Sequence, residues 1–338
     1  MSVVKVLSAE AVEQLFTIPM AIEAVERAYR EKHSGQGDAW PMVFHEFDPG
    51  HADLDIKSGH LGGAGVYGLK VVSWFGDNPG KGLPALYGTS LLFDLSTGAP
   101  KALLNAGPIT HYRTGAAAAI GVKHLAQQDA KELLMVGCGE LAPYLIAAAL
   151  FAKPDIEQVT LINPRHTACA AERLPKIARK VGQLLVRSGS ALSAEIYASE
   201  HLEAAVRRHR IILTATPSYE PMIEAAWVQP GTHFSCIGAD MAGKQEISSE
   251  LFRTARVFGD DERQCLTVGE CEIPHKEGIL SGLHGEIGAV MAGAVPGRTA
   301  PEDITIFDST GIALQDLASA TDVLAAAVRE RVGTDVEL

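Results

Sequence analysis

The sequence is short of cysteine, of positive charge and of long apolar runs, and each shortage excludes a class of protein. Its five cysteines, at 138, 169, 236, 265 and 271, are odd in number and never spaced C-x-x-C. Neither a disulfide framework nor a zinc ribbon is expected, and a reducing cytoplasm is the expected compartment. Lys and Arg total 29 against 41 Asp and Glu, a formal charge of −12. Such a chain lacks the clustered basic surface that general binding to nucleic acid or anionic membranes needs. The longest nearly unbroken apolar stretch, Ala142–Ala152, is too short to span a bilayer. No basic-then-apolar leader opens the chain, so export is not expected. HExxH, EF-hand, GxSxG and P-loop patterns are also missing, which leaves metal-dependent hydrolysis and P-loop chemistry without footing, and no metal is expected.

What is present is a chain of 338 residues with 47% hydrophobic content, enough for about two globular domains at roughly 100–200 residues each. Ser8 before Ala9–Val12 opens one helix. Thr17 with Pro19 opens a second, whose apolar stripe is Ile22, Val25, Ala28 and Tyr29. From Trp40 to Leu104, short alternating or β-branched runs between Gly, Pro, Asn and Asp clusters predict a meandering antiparallel sheet. Thr110 to Leu125 reads as a helix, and its small residues Gly115–Ala119 predict close packing. After Lys131, strand-like runs at 133–136, 159–162, 195–197, 211–214, 233–237, 257–258 and 304–307 are mostly separated by helical segments. That rhythm predicts an α/β fold with a doubly wound parallel sheet. The division is expected after residue 125, with residues 126–312 forming the parallel-sheet domain. The last helix and tail, 313–338, return to an α+β first domain, 1–125.

The strongest local signal is Gly137-Cys138-Gly139-Glu140-Leu141-Ala142, which follows the apolar run Leu133–Val136 and precedes a helix start at Pro143. This is the G-x-G-x-x-G/A arrangement between strand and helix. Gly137 permits the turn, Gly139 admits a pyrophosphate to the backbone, and Ala142 lets the helix lie close. The plainer reading is a strand–turn–helix with glycines for turning only. About 20 residues beyond such a motif an acid contacts the ribose 2′-hydroxyl of NAD. Here that strand ends in Asn163-Pro164-Arg165. A neutral amide followed by a cation suits a 2′-phosphate, so NADP(H) is favoured over NAD(H). The alternative is a solvated Arg165 with NAD bound through Asn163.

Five separated segments share a further pattern: Gly68-Leu69-Lys70, Gly82-Leu83-Pro84, Ile109–Ala116 with Arg113, Gly231–Asp240, and Phe307–Ala313 followed by Asp316. In order and over nearly the whole chain, these resemble the ornithine cyclodeaminase/mu-crystallin family. The resemblance implies an NAD(P)-dependent, homodimeric enzyme of amino-acid metabolism that moves a hydride at the α-carbon of an amino or imino acid. The dimer is implied to form through the sheet of the first, substrate-binding domain. The leading expectation is deaminating cyclisation of a diamino acid. Amino-acid dehydrogenase or imine/ketimine reductase is the alternative, and a non-catalytic NADPH-binding protein the further one.

Site residues follow from chemistry and resemblance together. Lys70 and Arg113 are charges in apolar or small-residue surroundings, suited to a substrate carboxylate; the competing reading is a salt bridge between sheet and helix. Asp240, directly after a strand, matches the family's acid/base; by itself it also reads as a turn residue or helix N-cap. The resemblance further places Thr114, Glu140 and Leu141 at the phosphate turn or nicotinamide end. It puts Thr214 and Thr216 along the nicotinamide side, with Lys244 and Ser309 closing the site. Family members commonly carry an arginine after a Pro in the first sheet strand, but Trp40–His45 has none. Lys57 and His45 are expected to compensate; alternatively Lys57 extends to solvent.

Overall fold

The computed structural model describes residues 3–191 and 193–338, and the chain divides into two compact units. Unit 1 comprises residues up to Arg113 together with Ile312–Leu338; unit 2 is Thr114–Gly311. The elements run β1 (Val3–Leu7), α1 (Ala9–Leu15), α2 (Ile18–His33), β2 (Gly37–Ala39), β3 (Val43–Asp48) and β4 (Ala52–Leu61). Then come β5 (Val66–Phe75), β6 (Leu86–Asp94), β7 (Pro100–Asn105) and α3 (Ala106–Leu125). Unit 2 continues with β8 (Glu132–Val136), α4 (Ala142–Ala152), β9 (Gln158–Ile162), α5 (Thr167–Arg187), β10 (Glu195–Ala198) and α6 (Leu202–Arg208). It is completed by β11 (Ile211–Thr214), β12 (His233–Cys236), β13 (Arg256–Gly259), α7 (Glu262–Val268), α8 (Glu272–Lys276), β14 (Gly285–Glu286), α9 (Ile287–Met291) and β15 (Thr305–Asp308). The chain ends in unit 1 with α10 (Ala313–Glu330) and β16 (Thr334–Glu337).

Unit 1 is built on one sheet in the order β16-β1-β7-β6-β5-β4-β2, with β3 also paired to β4. The stretch β4 to β7 is the antiparallel meander that the alternating pattern predicts. Directly opposed residues of an antiparallel pair share a face, so Lys57, Lys70 and Ser90 form one row across β4, β5 and β6. Helix α10 covers that face. Its Leu314 and Leu317 rest on the cross-strand pair Gly59–Gly68, where a Cβ would lie 3.2 and 3.0 Å from the leucine methyls. On α2, Arg27 reaches Asp322 of α10 at 2.8 Å.

Unit 2 is a parallel sheet, β10-β9-β8-β11-β12-β15-β13-β14. Its first six strands follow the doubly wound order in which the chain reverses direction between β8 and β11, the point where such sheets bind ligands. Leu133–Val136 of β8 is buried throughout, as expected for a central strand covered on both faces. The helix turns of α3 beyond Arg113 also belong to this unit. A Cβ on Gly115 would sit 2.6 Å from the Tyr144 carbonyl of α4, which accounts for the run of small residues there.

Two features differ from the sequence reading. The first thirty residues hold a strand, β1, ahead of their two helices, and the C-terminal tail forms β16 rather than ending with the helix. They pair with each other, Val3 opposite Glu337, across nearly the full length of the chain. The boundary between units falls within α3, after Arg113, and not beyond residue 125. The rest of that helix packs closely on unit 2, through Gly115 against Tyr144 of α4 and Gly121 against Ser235 and Phe307.

Candidate active site

In unit 1 the cations do gather. Lys70, 2% exposed, donates to the Asp316 carboxylate of α10 at 2.9 Å. Arg113, also buried, lies 3.3 Å from the same carboxylate through Nε and donates from Nη1 to Gln315 at 3.2 Å. Gln315 in turn donates to the Tyr29 hydroxyl at 2.6 Å. Asp316 is thus the counter-ion of both cations, and the salt bridge between sheet and helix is real. That pairing is compatible with ligand binding, because two cations share one carboxylate. Burial lowers the Lys70 pKa to about 8 against the pull of Asp316. For Asp316, burial opposes the charge, but Lys70 and Arg113 outweigh it and hold the carboxyl below its usual range.

Lys57 stands opposite Lys70 in the β4–β5 register, so both side chains leave the same face. Ser90 Oγ in that row and Asp55 Oδ1 two residues before Lys57 are buried without a hydrogen-bond partner. Burial raises the Asp55 pKa, against nearby Lys57 and Lys70. Buried polar atoms left unpaired are what a polar ligand would satisfy. His45 is a correction. It pairs with Leu54, which has the opposite parity to Asp55 and Lys57, so it leaves the other face of the sheet. There it is exposed and packs edge-on against Phe47, with ring centroids 5.0 Å apart. It does not join the Lys70 cluster.

In unit 2 the glycine turn stands at the carboxyl end of β8. Gly137 has φ +115°, and a Cβ there would lie 2.4 Å from the Ala215 carbonyl after β11, so glycine is required. Gly139 faces open space, Glu140 is exposed and Ala142 is buried. Leu141 is the N-cap of α4 and supplies no capping side chain, leaving the positive end of that helix to an anion. From α5, Arg173 donates to the Cys138 carbonyl at 2.9 Å and holds the turn. This arrangement fits a dinucleotide: an open glycine turn, an uncapped helix end and the switch point coincide. After β9, Asn163 Oδ1 accepts from the backbone of Arg165 and His166, and Arg165 donates to Ser218 at 3.1 Å. No acid occupies the end of β9.

Asp240 lies in the loop after β12, exposed, and accepts a hydrogen bond from Lys244 at 2.6 Å. Ser309, nearly buried, donates to Asp260 at 3.2 Å, and Thr114 is buried at the head of the unit's first helix segment. Thr216 is half-buried, and its N–H and hydroxyl both go to Glu246. Thr214 departs from expectation: it is fully buried and its hydroxyl is bonded to Glu246 at 2.6 Å, so it does not line a ligand directly. The sequence reading missed Asp316 as a counter-ion, although its motif was noted. It also missed Glu246, Glu270, Asp260 and Asp308, four buried acids at the carboxyl ends of β11, β12, β13 and β15. Asp260 and Asp308 do follow strand-like runs, but Glu246 and Glu270 lie in segments whose local sequence does not distinguish them from surface acids. His233 is likewise internal: bonded to Thr305 and Ser235, its pKa is pushed down by burial to about 3.

A doubly wound parallel sheet with an open glycine turn, carried with an α+β unit that buries two cations on one carboxylate, defines a Rossmann-type two-unit α/β protein. The chain belongs to the ornithine cyclodeaminase/mu-crystallin family, whose sequence profile matches residues 2–331. It is similar throughout to an archaeal alanine dehydrogenase solved as a dimer with bound NAD, at 34% identity and a TM-score of 0.87 over 100% of both chains. The iminosuccinate reductase of Paracoccus denitrificans, solved with NAD+, matches at 31% identity and a TM-score of 0.90, again over 100% of both. Thermococcus litoralis Δ1-pyrroline-2-carboxylate reductase, solved with NADH and L-proline, matches at 29% and 0.89 over 98% of this chain and 100% of that one.

Proposed function

We propose that this chain is a nicotinamide-dependent oxidoreductase acting on a small amino or imino acid, either as an amino-acid dehydrogenase or as an imine reductase. The observation that carries this reading is the buried Lys70–Asp316–Arg113 cluster in a chain that also bears an open dinucleotide turn. Relatives that interconvert amino and imino acids with net redox change favour it over deaminating cyclisation, the leading expectation from sequence.

Lys70 and Arg113, with Lys57 in the same row, would anchor the substrate carboxylate; the fork of Arg113 matches its two oxygens. Bound nicotinamide dinucleotide supplies or accepts the hydride at the α-carbon. Asp240 would exchange a proton with the substrate nitrogen: given during imine reduction, taken during amine oxidation. Lys244 donates a hydrogen bond to Asp240 and orients its carboxylate, which is itself exposed to solvent. Gly137, Gly139, Glu140, Leu141 and Ala142 would form the pyrophosphate turn, with Thr114, Thr216 and Ser309 nearer the nicotinamide. The amide of Asn163 and the cation of Arg165 favour NADP(H) over NAD(H), since neither repels a 2′-phosphate.

The working form is a homodimer. Strand β3 is exposed along its whole length, and Val43, Phe44, Phe47, Phe75, Leu83 and Leu86 present apolar side chains to solvent. Exposed aromatics at this density suit a self-complementary interface.

Steady-state assay of Asp240→Asn tests the catalytic assignment. Turnover with imino acids should fall at least about 100-fold, the order contributed by general acid–base catalysis, while dinucleotide affinity stays within a few-fold. Unimpaired turnover would remove Asp240 from the mechanism.

A further inference from the structure

Glu246 is fully buried in unit 2, and the bonds it accepts come from two hydroxyls and two backbone N–H groups. Thr214 Oγ1 reaches Oε2 at 2.6 Å, and Gly238 N reaches the same oxygen at 2.9 Å. Thr216 donates to Oε1 from N at 2.7 Å and from Oγ1 at 2.8 Å. One carboxylate thus holds together the segment leaving β11 and the segment leaving β12, the second of which carries Asp240. Gly238 comes so near that a Cβ there would lie 2.6 Å from the Glu246 carboxyl carbon.

The loop from Gly238 to Ile247 is gripped at its far end as well. Glu270, also fully buried, accepts from the N–H groups of Glu246 at 2.9 Å and Ile247 at 2.7 Å. Glu272 accepts from Gly243 N at 2.7 Å, and Asp308 accepts from Cys271 N at 3.0 Å, fixing the segment that bears Glu270 and Glu272. Three carboxylates therefore fasten a ten-residue loop with little regular structure of its own. Burying acids costs free energy that apolar packing would not. A loop fastened so tightly in return exposes one acid, Asp240, held by a lysine that is itself largely covered.

We propose that Glu246 is a positioning residue: it locks the loops after β11 and β12 into one rigid piece, so that Asp240 and Thr216 hold fixed places for hydride and proton transfer. This rests on the oxidoreductase reading for its consequence, but not for its geometry. Glu246 touches no reactant. It acts through Gly238 and Thr216, and Glu270 acts through the backbone of Glu246. In Glu246→Gln the shape is kept, but an amide N–H is brought against a donor, either Gly238 N–H or Thr216 N–H, and one of the four bonds is lost.

Hydrogen exchange read by mass spectrometry on the full-length protein tests the lock apart from activity. In the wild type, the amides of Thr216, Gly238, Gly243, Glu246 and Ile247 should exchange as slowly as those of β11, although all lie in loops. In Glu246→Gln, peptides covering 214–218 and 237–244 should exchange at least about ten-fold faster, with β8 unchanged. Turnover of the same variant should fall about 30-fold in kcat, with KM for substrate and Kd for NADPH within three-fold. Rapid exchange at these amides in the wild type overturns the lock whatever the enzyme does. Unchanged kcat in a variant whose loops have loosened overturns the positioning role. A wild type with protected loops but no turnover on amino or imino acids overturns the proposed reaction and the positioning role, while the lock stands.

Discussion

Lys70 Nζ lies 2.9 Å from the Asp316 carboxylate, inside a unit where both are almost wholly buried. The two residues stand 246 positions apart in the chain. Capture of a substrate carboxylate needs Lys70 as an ammonium, and burial has lowered its pKa to about 8. Substrate kcat/KM should therefore fall as pH rises through about 8. Asp316→Asn removes the anion that favours the charged lysine, so the falling limb should move to lower pH by a unit or more. The same change breaks a buried pair and should cost roughly 3–5 kcal/mol in denaturant unfolding. A pH–rate profile from 6 to 10 on both proteins checks this. A limb that stays where it was means Lys70 is not the titrating group.

Cofactor preference is separable from fold at Asn163. Its Oδ1 caps the turn by accepting from Arg165 and His166 N–H, which an aspartate would do equally well. Asn163→Asp should keep the turn while adding a charge that repels a 2′-phosphate. NADPH kcat/KM should drop about ten-fold or more, and the ratio of NADH to NADPH efficiency should rise. Steady-state kinetics with each dinucleotide decide it; an unaltered ratio would place the ribose elsewhere.

The buried acids of unit 2 give stability a characteristic pH dependence. Burial raises the Asp308 pKa from 3.8 to about 7, with repulsion from Asp260 adding to it. Between those values the folded state holds more protons than the unfolded one, so stability falls as pH rises from about 4 to 7. Glu246 and Glu270, also pushed up by burial, act in the same direction. Asp308→Asn should flatten that slope and raise unfolding free energy at pH 8 by roughly 2–4 kcal/mol, since raising a carboxyl pKa by one costs about 1.36 kcal/mol once the group is ionised. Denaturant melts at pH 5 and 8 measure it.

Assembly is tested on β3. Phe47 and Leu86 are 56% and 50% exposed, and Phe47 stacks on Phe75 at 6.0 Å. The proposed homodimer predicts a light-scattering mass of twice the chain mass, which the double substitution Phe47→Glu, Leu86→Glu should reduce to once; a wild-type mass of one chain would overturn the dimer. No change would move the interface to another surface.

How much of this was legible in the sequence depended on distance along the chain. The Gly137–Ala142 turn and the strands of the parallel sheet are local, so periodicity and glycine spacing reveal them. The meander from β4 to β7 is legible for the same reason. Strands β1 and β16 are not, because each is only four or five residues long and they pair with each other from opposite ends of the chain. Alternation put His45 on one face with Val43, correctly, but only the register against β4 reveals which face bears Lys57 and Lys70. Asp316, Glu246 and Glu270 are partners of groups far away in sequence. An acid read in isolation is assigned to the surface, and here that prior fails.

The most direct test of the central claim is to incubate the protein with small amino and imino acids, recording dinucleotide absorbance and free ammonia in the same reaction. An oxidoreductase of the kind proposed changes one dinucleotide per substrate consumed, with imine reduction consuming the reduced form and releasing no ammonia. Ammonia released from a diamino acid with no net change in dinucleotide would contradict it and establish the cyclodeaminase reaction instead.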